Sequence, residues 1–254
     1  MLEASGILVH LNNLESLSEA DATVAARIIR DLRDPVLLAQ GFHFVLVGSD
    51  EAVRTVVAST RQVRDVFSLP RPLRPLDLPE IQEMLQHRYV HLRMDTRKPP
   101  RQPVEDAAVA DLHALFGGNV RGLLLALEDA ARTLIEDGVA AGEPMSQAQV
   151  RFVLRSRYQE AMEARLDPGD IRHLQQIAEA GRSEGFTQAD LEGIWGLSRS
   201  AVSRALKRLE GADAVVVRDA AEASGPGRRE RIYALSPVAR LALEPLSEGP
   251  SLLS

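Results

Sequence analysis

The chain contains no cysteine, only 4% aromatic residues with a single Trp, and no apolar run long enough to span a bilayer. Without thiols there is no disulfide framework and no thiolate metal site, which agrees with a reducing compartment. The N-terminus lacks the charged and apolar regions of a secretory signal, so the expectation is a cytoplasmic protein with no membrane partner. A cationic excess is missing too. Against 36 Asp and Glu stand 30 Lys and Arg, and the formal net charge of −6 excludes a binder that is cationic over its whole surface. Any nucleic-acid site must therefore be local. The six histidines, His10, His43, His87, His91, His113 and His173, show no ligand pairing, and no metal site is expected.

What is present begins with an ordinary globular composition, 45% hydrophobic and 26% charged over 254 residues, enough for two domains or one large one. Thr187 to Leu209, TQADLEGIWGLSRSAVSRALKRL, is the most informative stretch. Thr187 and Asp190 have capping-box spacing. Leu191, Ile194 and Trp195 repeat at three and four residues, and Gly196 lets the chain reverse. Ser198 is the next cap candidate. Beyond it, Ala201, Val202, Ala205, Leu206 and Leu209 share one apolar face, while Ser200, Ser203, Arg204, Lys207 and Arg208 project from the other without a carboxylate among them. A helix of this kind suits a major groove, where hydroxyls and guanidinium groups meet phosphates and base edges. Ser198, Arg199, Ser200, Ser203, Arg204, Lys207 and Arg208 are the candidate contacts. The bland alternative is a helical hairpin with a solvated basic face.

The following residues favour the first reading. Val215 to Arg218 is a β-branched run, Ala220 to Gly227 a small-residue turn, and Arg228 to Leu235 a second strand candidate carrying Arg228, Arg229 and Arg231. Asp167 and Pro168 cap and start a preceding helix with Ile171, Leu174, Ile177 and Ala178 inward, and Pro237 opens a closing one. Helix, turn, helix, strand, basic tip, strand is a winged helix, and this part resembles the winged-helix domains of the MarR type. The partner so implied is double-stranded DNA. With acidic surroundings, binding by one copy should be weak and steeply salt dependent.

In the N-terminal half, Gly6 to Leu11 (GILVHL) and Phe42 to Val47 (FHFVLV) read as buried parallel strands with polar residues at their C-terminal ends. Between them Ser18 or Asp21 starts a helix with Ala22, Ala25, Ile28, Ile29 and Leu32 inward. Strand, helix, strand places Asn12, Asn13, Glu15 and Ser49 where open α/β sheets hold ligands.

Residues 6 to about 136 resemble the second half of an AAA+ ATPase of the kind found in archaeal origin-binding initiators and related bacterial ATPases ending in a winged helix. GILVHLNNLE looks like the Walker B strand and FVLVGSDEAVR like the sensor 1 strand. VRDVFSLPRPLRPLDLPEIQEMLQHRY looks like the last core strand and the start of the helical lid, and FGGNVRGLLLALEDA like the sensor 2 helix. The resemblance implies nucleotide-binding roles for Asn12, Asn13, Ser49 and Arg121. Where the family places Walker B acids this chain has Asn12 and Asn13, and amides supply neither a base nor negative charge to magnesium. Glu15 is the candidate substitute base, and weak or absent hydrolysis is expected. Arg54, Arg61 and Arg64 are available as an arginine finger, but Gln62 lies nearest the expected place.

No GxxxxGK[ST] loop occurs, and neither Gly117 nor Gly118 precedes a Lys-Ser or Lys-Thr. The resemblance thus implies a fragment of a longer ATPase, the favoured expectation, or a shortened relative. ATP and magnesium are expected only with a complete core, and the exposed sheet edge calls for the missing N-terminal half or self-association as partner.

The expected fold is an α/β partial AAA+ parallel sheet, then an α-helical lid, then a C-terminal winged helix-turn-helix. The domains would be 1–76 for the second half of the core, 77–143 for the lid, with helices near 78–93, 105–116 and 119–136, and 144–254 for a linker helix and winged helix. Three functions compete: a DNA-binding protein of AAA+ descent under nucleotide or assembly control, acting in replication, defence or transcription; a MarR-like regulator with no nucleotide role; and a fragment of an active ATPase.

Overall fold

The structure is a computed structural model that describes residues 6–14, 17–58, 61–93, 95–136, 144–218 and 231–244. The chain divides into two compact units, Met1–Arg74 and Pro75–Ser254.

In the first unit, β1 (Ile7–Leu11) pairs in parallel with β2 (Phe42–Leu46), Ile7 opposite Phe42 and Leu11 opposite Leu46. Helix α1 (Glu19–Asp31) crosses between them, started by Ser18, whose hydroxyl accepts the Asp21 amide at 3.2 Å. Gly6 is required where it stands, since a Cβ there would lie 2.6 Å from the Gly41 carbonyl oxygen. After β2 come α2 (Asp50–Val53), a wide helical turn over Arg54–Ala58 and α3 (Arg61–Arg64). The core is small: Ala22, Ile29, Val56, Val57 and Val63 are buried together.

Two expectations for this unit fail. Both strands are mostly exposed rather than buried, with Ile7 at 56% and Leu8 at 66% accessibility, because a sheet of two strands offers few neighbours to cover its faces. Ile28 and Leu32 of the α1 stripe are exposed likewise. The expected last core strand is absent as well: Val63 and Arg64 belong to α3, and Ser68 to Asp77 carries no strand pairing. Pro70, Pro72 and Pro75 remove three ladder donors from that stretch, which explains why it cannot extend the sheet.

The second unit is helical. Its first three helices are α4 (Leu78–Leu92), α5 (Asp106–Phe116) and α6 (Val120–Glu136). Asp77 and Glu80 close a capping box on α4, and Gly117, at φ 56°, ends α5 in the left-handed region that glycine adopts without cost. Helix α7 (Gln147–Glu163), capped by Ser146 and Gln149, connects these three helices to the winged helix. Its Arg151 makes a two-pronged pair with Asp111 of α5, at 2.6 and 2.7 Å, and a third bond to Glu244. Arg157 meets Asp129 of α6 at 2.9 Å, and burial beside Asp129 pushes the Tyr158 phenol up.

Helices α8 (Pro168–Glu179), α9 (Gln188–Trp195) and α10 (Arg199–Gly211) follow, then antiparallel β3 (Val215–Arg218) and β4 (Ile232–Leu235), and α11 (Pro237–Ala242). Phe186 adds a bridge to Tyr233 on the β4 side. A single buried cluster runs from Ile81 of α4 and Leu112 of α5 through Leu154 to Leu174, Leu191, Leu209 and Leu241. Each fully buried Leu or Ile contributes about 1.5–3 kcal/mol relative to exposure, so this continuity ties α4, α5 and α6 to the winged helix.

Candidate nucleic-acid interface

The winged helix forms as its residues dictate. Asp167 caps α8 by accepting the Asp170 amide at 2.8 Å, with Leu174 and Ile177 inaccessible beneath. Thr187 and Asp190 make the expected reciprocal capping box of α9, and their hydrogen bonds hold the Asp190 carboxyl below the usual carboxylate range. Gly196, at φ 63°, then turns the chain. Gln188 Nε2 donates to the Arg199 carbonyl at 2.8 Å, fastening the start of α10 to α9.

On α10, Val202, Ala205, Leu206 and Leu209 are buried. Ser198, Arg199, Ser200, Arg204 and Lys207 are exposed and Ser203 is half-buried. No carboxylate among the described residues forms an ion pair with Arg199, Arg204 or Lys207. Ser198 occupies the N-cap position without a capping bond from its side chain, since its hydroxyl lies 3.3 Å from that of Ser200. Arg218 and Arg231 are exposed at the base of the wing, while Arg228 and Arg229 lie outside the described residues.

Arg208 departs from the expected set. Its Nε and Nη2 donate to Asp170 Oδ2 and Oδ1 at 2.9 and 2.6 Å, and the carboxylate raises the guanidinium pKa further. Asp170 is 2% accessible, so this guanidinium is committed to neutralising a buried charge and leaves the set of free cations.

The nucleotide candidates divide between the two units. Asn12, Asn13 and Ser49 cluster at the C-terminal ends of β1 and β2, where Val47 donates to the Leu11 carbonyl at 2.8 Å. All three are exposed, and Asn13 takes a positive φ of 58°. The Ser49 hydroxyl accepts the Ala52 amide at 3.2 Å, the bond of a serine that ends a strand and starts a helix. Glu15 lies outside the described residues. Arg121 is exposed in the first turn of α6, in the second unit, where Asn119 Oδ1 caps by accepting the Gly122 amide at 3.0 Å. Arg61 and Arg64 both lie near Asp65, at 3.9 and 4.0 Å. Among the described residues no group of His, Asp and Glu could hold a metal ion, and no helix is long and apolar enough to cross a membrane.

Residues 166–229 match the MarR family. No curated protein matches the chain in sequence. Among solved structures, the chain is similar to the Thermotoga maritima RuvB Holliday junction branch migration motor, at 17% identity and a TM-score of 0.40, over 84% of this chain and 64% of that one. It is also similar to the Aeropyrum pernix ORC2 protein in its ADPNP-ADP complexes, at 19% identity and a TM-score of 0.41, over 93% of this chain and 63% of that one. The chain thus spans less than two thirds of the length of these relatives. The MarR-matching segment takes in α8, α9, α10 and β3.

Asp170 is the residue that sequence reading missed. At the third position of α8 it looks like an ordinary acidic residue near a helix N-terminus, and its partner stands 38 residues away. Only the fold brings the two together.

Proposed function

We propose that the C-terminal winged helix binds double-stranded DNA through the outward face of α10. The observation that carries this reading is the exposure of Ser200, Arg204 and Lys207 along one face and of Arg199 at its N-terminal end, with the three cations free of ion pairs among the described residues. In the geometry of a helix-turn-helix, such a face enters the major groove, with Ser203 beside it and the N-terminal Ser198 and Arg199 nearest the bases. The wing, with Arg228, Arg229 and Arg231, then reaches the flanking backbone. The match of residues 166–229 to the MarR family supports the same role.

The N-terminal unit is read as a remnant of an AAA+ core that modulates this binding through nucleotide state or assembly. Asn12 and Asn13 in place of acids, and no GxxxxGK[ST] sequence, argue against hydrolysis by these residues alone. Asn12, Asn13, Ser49 and Arg121 would meet ATP and magnesium only in a completed core, with Glu15 as the candidate base. The partners proposed are duplex DNA and either the rest of such a core or further copies of the chain, in the cytoplasm.

The test is titration of the full chain into labelled duplex at several salt concentrations, with and without ATP and magnesium. Saturable binding that weakens linearly in log salt is expected. Absence of binding at low salt overturns the reading. Binding indifferent to ATP, both for this chain and for one completed by a P-loop segment, leaves a MarR-like regulator and removes the nucleotide role.

A further inference from the structure

The Arg208–Asp170 pair plays no part in the reading above, yet it stands on the recognition helix itself. The Asp170 side chain is 3% accessible, whereas that of Arg208 is 53% accessible. At about 100° per residue, Ser200, Ser203, Arg204 and Lys207 surround the outward direction of α10, and Arg208 falls on the flank that faces α8. From that flank the guanidinium reaches the carboxylate with both prongs. The carboxylate thus occupies the Nε and Nη2 edge of the guanidinium, and a phosphate taking that same edge would have to displace Asp170.

The surroundings of Asp170 are otherwise poor in charge. His173, one turn along α8, places Nδ1 at 3.8 Å from Asp170 Oδ1, beyond hydrogen-bond range, and that nitrogen has no partner among the described residues. Its ring stacks on Trp195 of α9 at 4.5 Å, and Trp195 Nε1 donates to the His173 carbonyl at 3.2 Å. Asp167, the α8 cap, adds a second negative charge near Arg208. Helices α8 and α10 are thus joined through one carboxylate whose strong partner is Arg208, and α9 packs on the neighbouring His173.

We infer that Asp170 is a specificity-determining positioning residue of the DNA site. It withholds Arg208 from the phosphate backbone and fixes the rotation of α10 against α8, so that the duplex contacts of this helix fall to Ser198, Arg199, Ser200, Ser203, Arg204 and Lys207. This inference rests on the DNA-binding reading. A cation released from Asp170 adds one sequence-independent phosphate contact, which raises affinity for every duplex and lowers discrimination between them.

The experiment compares the full-length chain with its Asp170→Asn variant on two probes, a random-sequence duplex and the duplex that the unaltered chain selects best from a randomised pool. Asparagine keeps the shape of the side chain and removes its charge. Expected for Asp170→Asn is binding to the random duplex about three- to tenfold tighter at low salt, with a log affinity against log salt slope steeper by about 1 and reduced preference for the selected duplex. The double variant Asp170→Asn with Arg208→Gln should return the slope to its original value, which assigns the change to Arg208. Should Asp170→Asn not fold, Asp170→Ser gives the same comparison, because it too removes the charge that holds Arg208, and its slope should also steepen.

An unchanged slope and unchanged selectivity overturn the inference. So does weaker binding to both duplexes at unchanged slope, which marks a purely structural pair. Failure of the unaltered chain to bind any duplex is a different result, and removes the DNA-binding reading together with what rests on it.

Discussion

The two compact units treat apolar residues in opposite ways. In residues 75–244 the leucines at helical spacing are inside: Leu112, Leu123, Leu154, Leu174, Leu191, Leu209 and Leu241 are all at 0–1% accessibility and belong to one cluster. In residues 6–74 the β-strands carry Ile7, Leu8, Phe42 and Val45 in exposed positions, and the one buried cluster among the described residues is five small or β-branched side chains. Similar hydrophobic content thus yields a closed core in one unit and open faces in the other. The difference is one of partners rather than of residue type. Helices α4 to α11 supply each other with covering surfaces, whereas two paired strands and one long helix cannot cover a sheet on both sides. The polar contrast runs in parallel. Among the described residues, the second unit has ion pairs that bridge distant elements and are partly buried, as with Arg151–Asp111 and Arg208–Asp170, beside local exposed ones such as Arg132–Glu128, while those of the first join only near neighbours in the chain at the surface, as with Arg30–Asp31 and Arg33–Asp34.

The sharpest way to probe this contrast is to break a buried pair from each side. Arg208→Ala leaves Asp170 as an unpaired charge in an apolar setting, and the expected loss is about 3–5 kcal/mol of unfolding free energy. Asp170→Asn leaves a half-exposed guanidinium that water can solvate, and should cost less, about 1–3 kcal/mol. Urea unfolding of the two variants checks the order; equal losses would mean that Asp170 is better solvated than its burial indicates. A second contrast compares leucines. Leu174→Ala, within the continuous core, should cost about 2–5 kcal/mol, whereas Leu8→Ala, on the exposed strand, should stay within about 0.5 kcal/mol. A substantial loss at Leu8 would show that this face is covered in solution.

The smallest effect concerns acid. Hydrogen bonds from Thr187 lower the Asp190 carboxyl below its unfolded value, so the stabilisation it confers is complete above about pH 4 and fades as pH falls through the lower folded value. In thermal melts, Asp190→Asn should lose most of its deficit relative to the unaltered chain on going from neutral to strongly acidic solution. A deficit independent of pH would assign the effect to the cap shape alone.

Much of the second unit was legible in the residues because its signals are local. Capping pairs at Asp77 and Glu80, Ser146 and Gln149, and Thr187 and Asp190 mark helix starts, and period-3.6 leucines mark their inner faces. Helix α10 and its outward cations could be named for the same reason. Where sequence reading failed, the cause was non-local. Nothing near Arg208 indicates that a carboxylate 38 residues upstream will claim it. The short apolar runs GILVHL and FHFVLV carry the signature of buried strands, but burial depends on how many other strands flank them, and the expected third strand is interrupted by Pro70, Pro72 and Pro75.

The central claim is that Arg204 and Lys207 face a duplex, and fluorescence anisotropy of a labelled duplex titrated with the Arg204→Ala, Lys207→Ala double variant across a salt series tests it most directly. The account predicts affinity reduced about 100-fold at low salt and a salt slope shallower by about 2, with an unchanged melting temperature. Wild-type affinity and slope in that folded variant would contradict it.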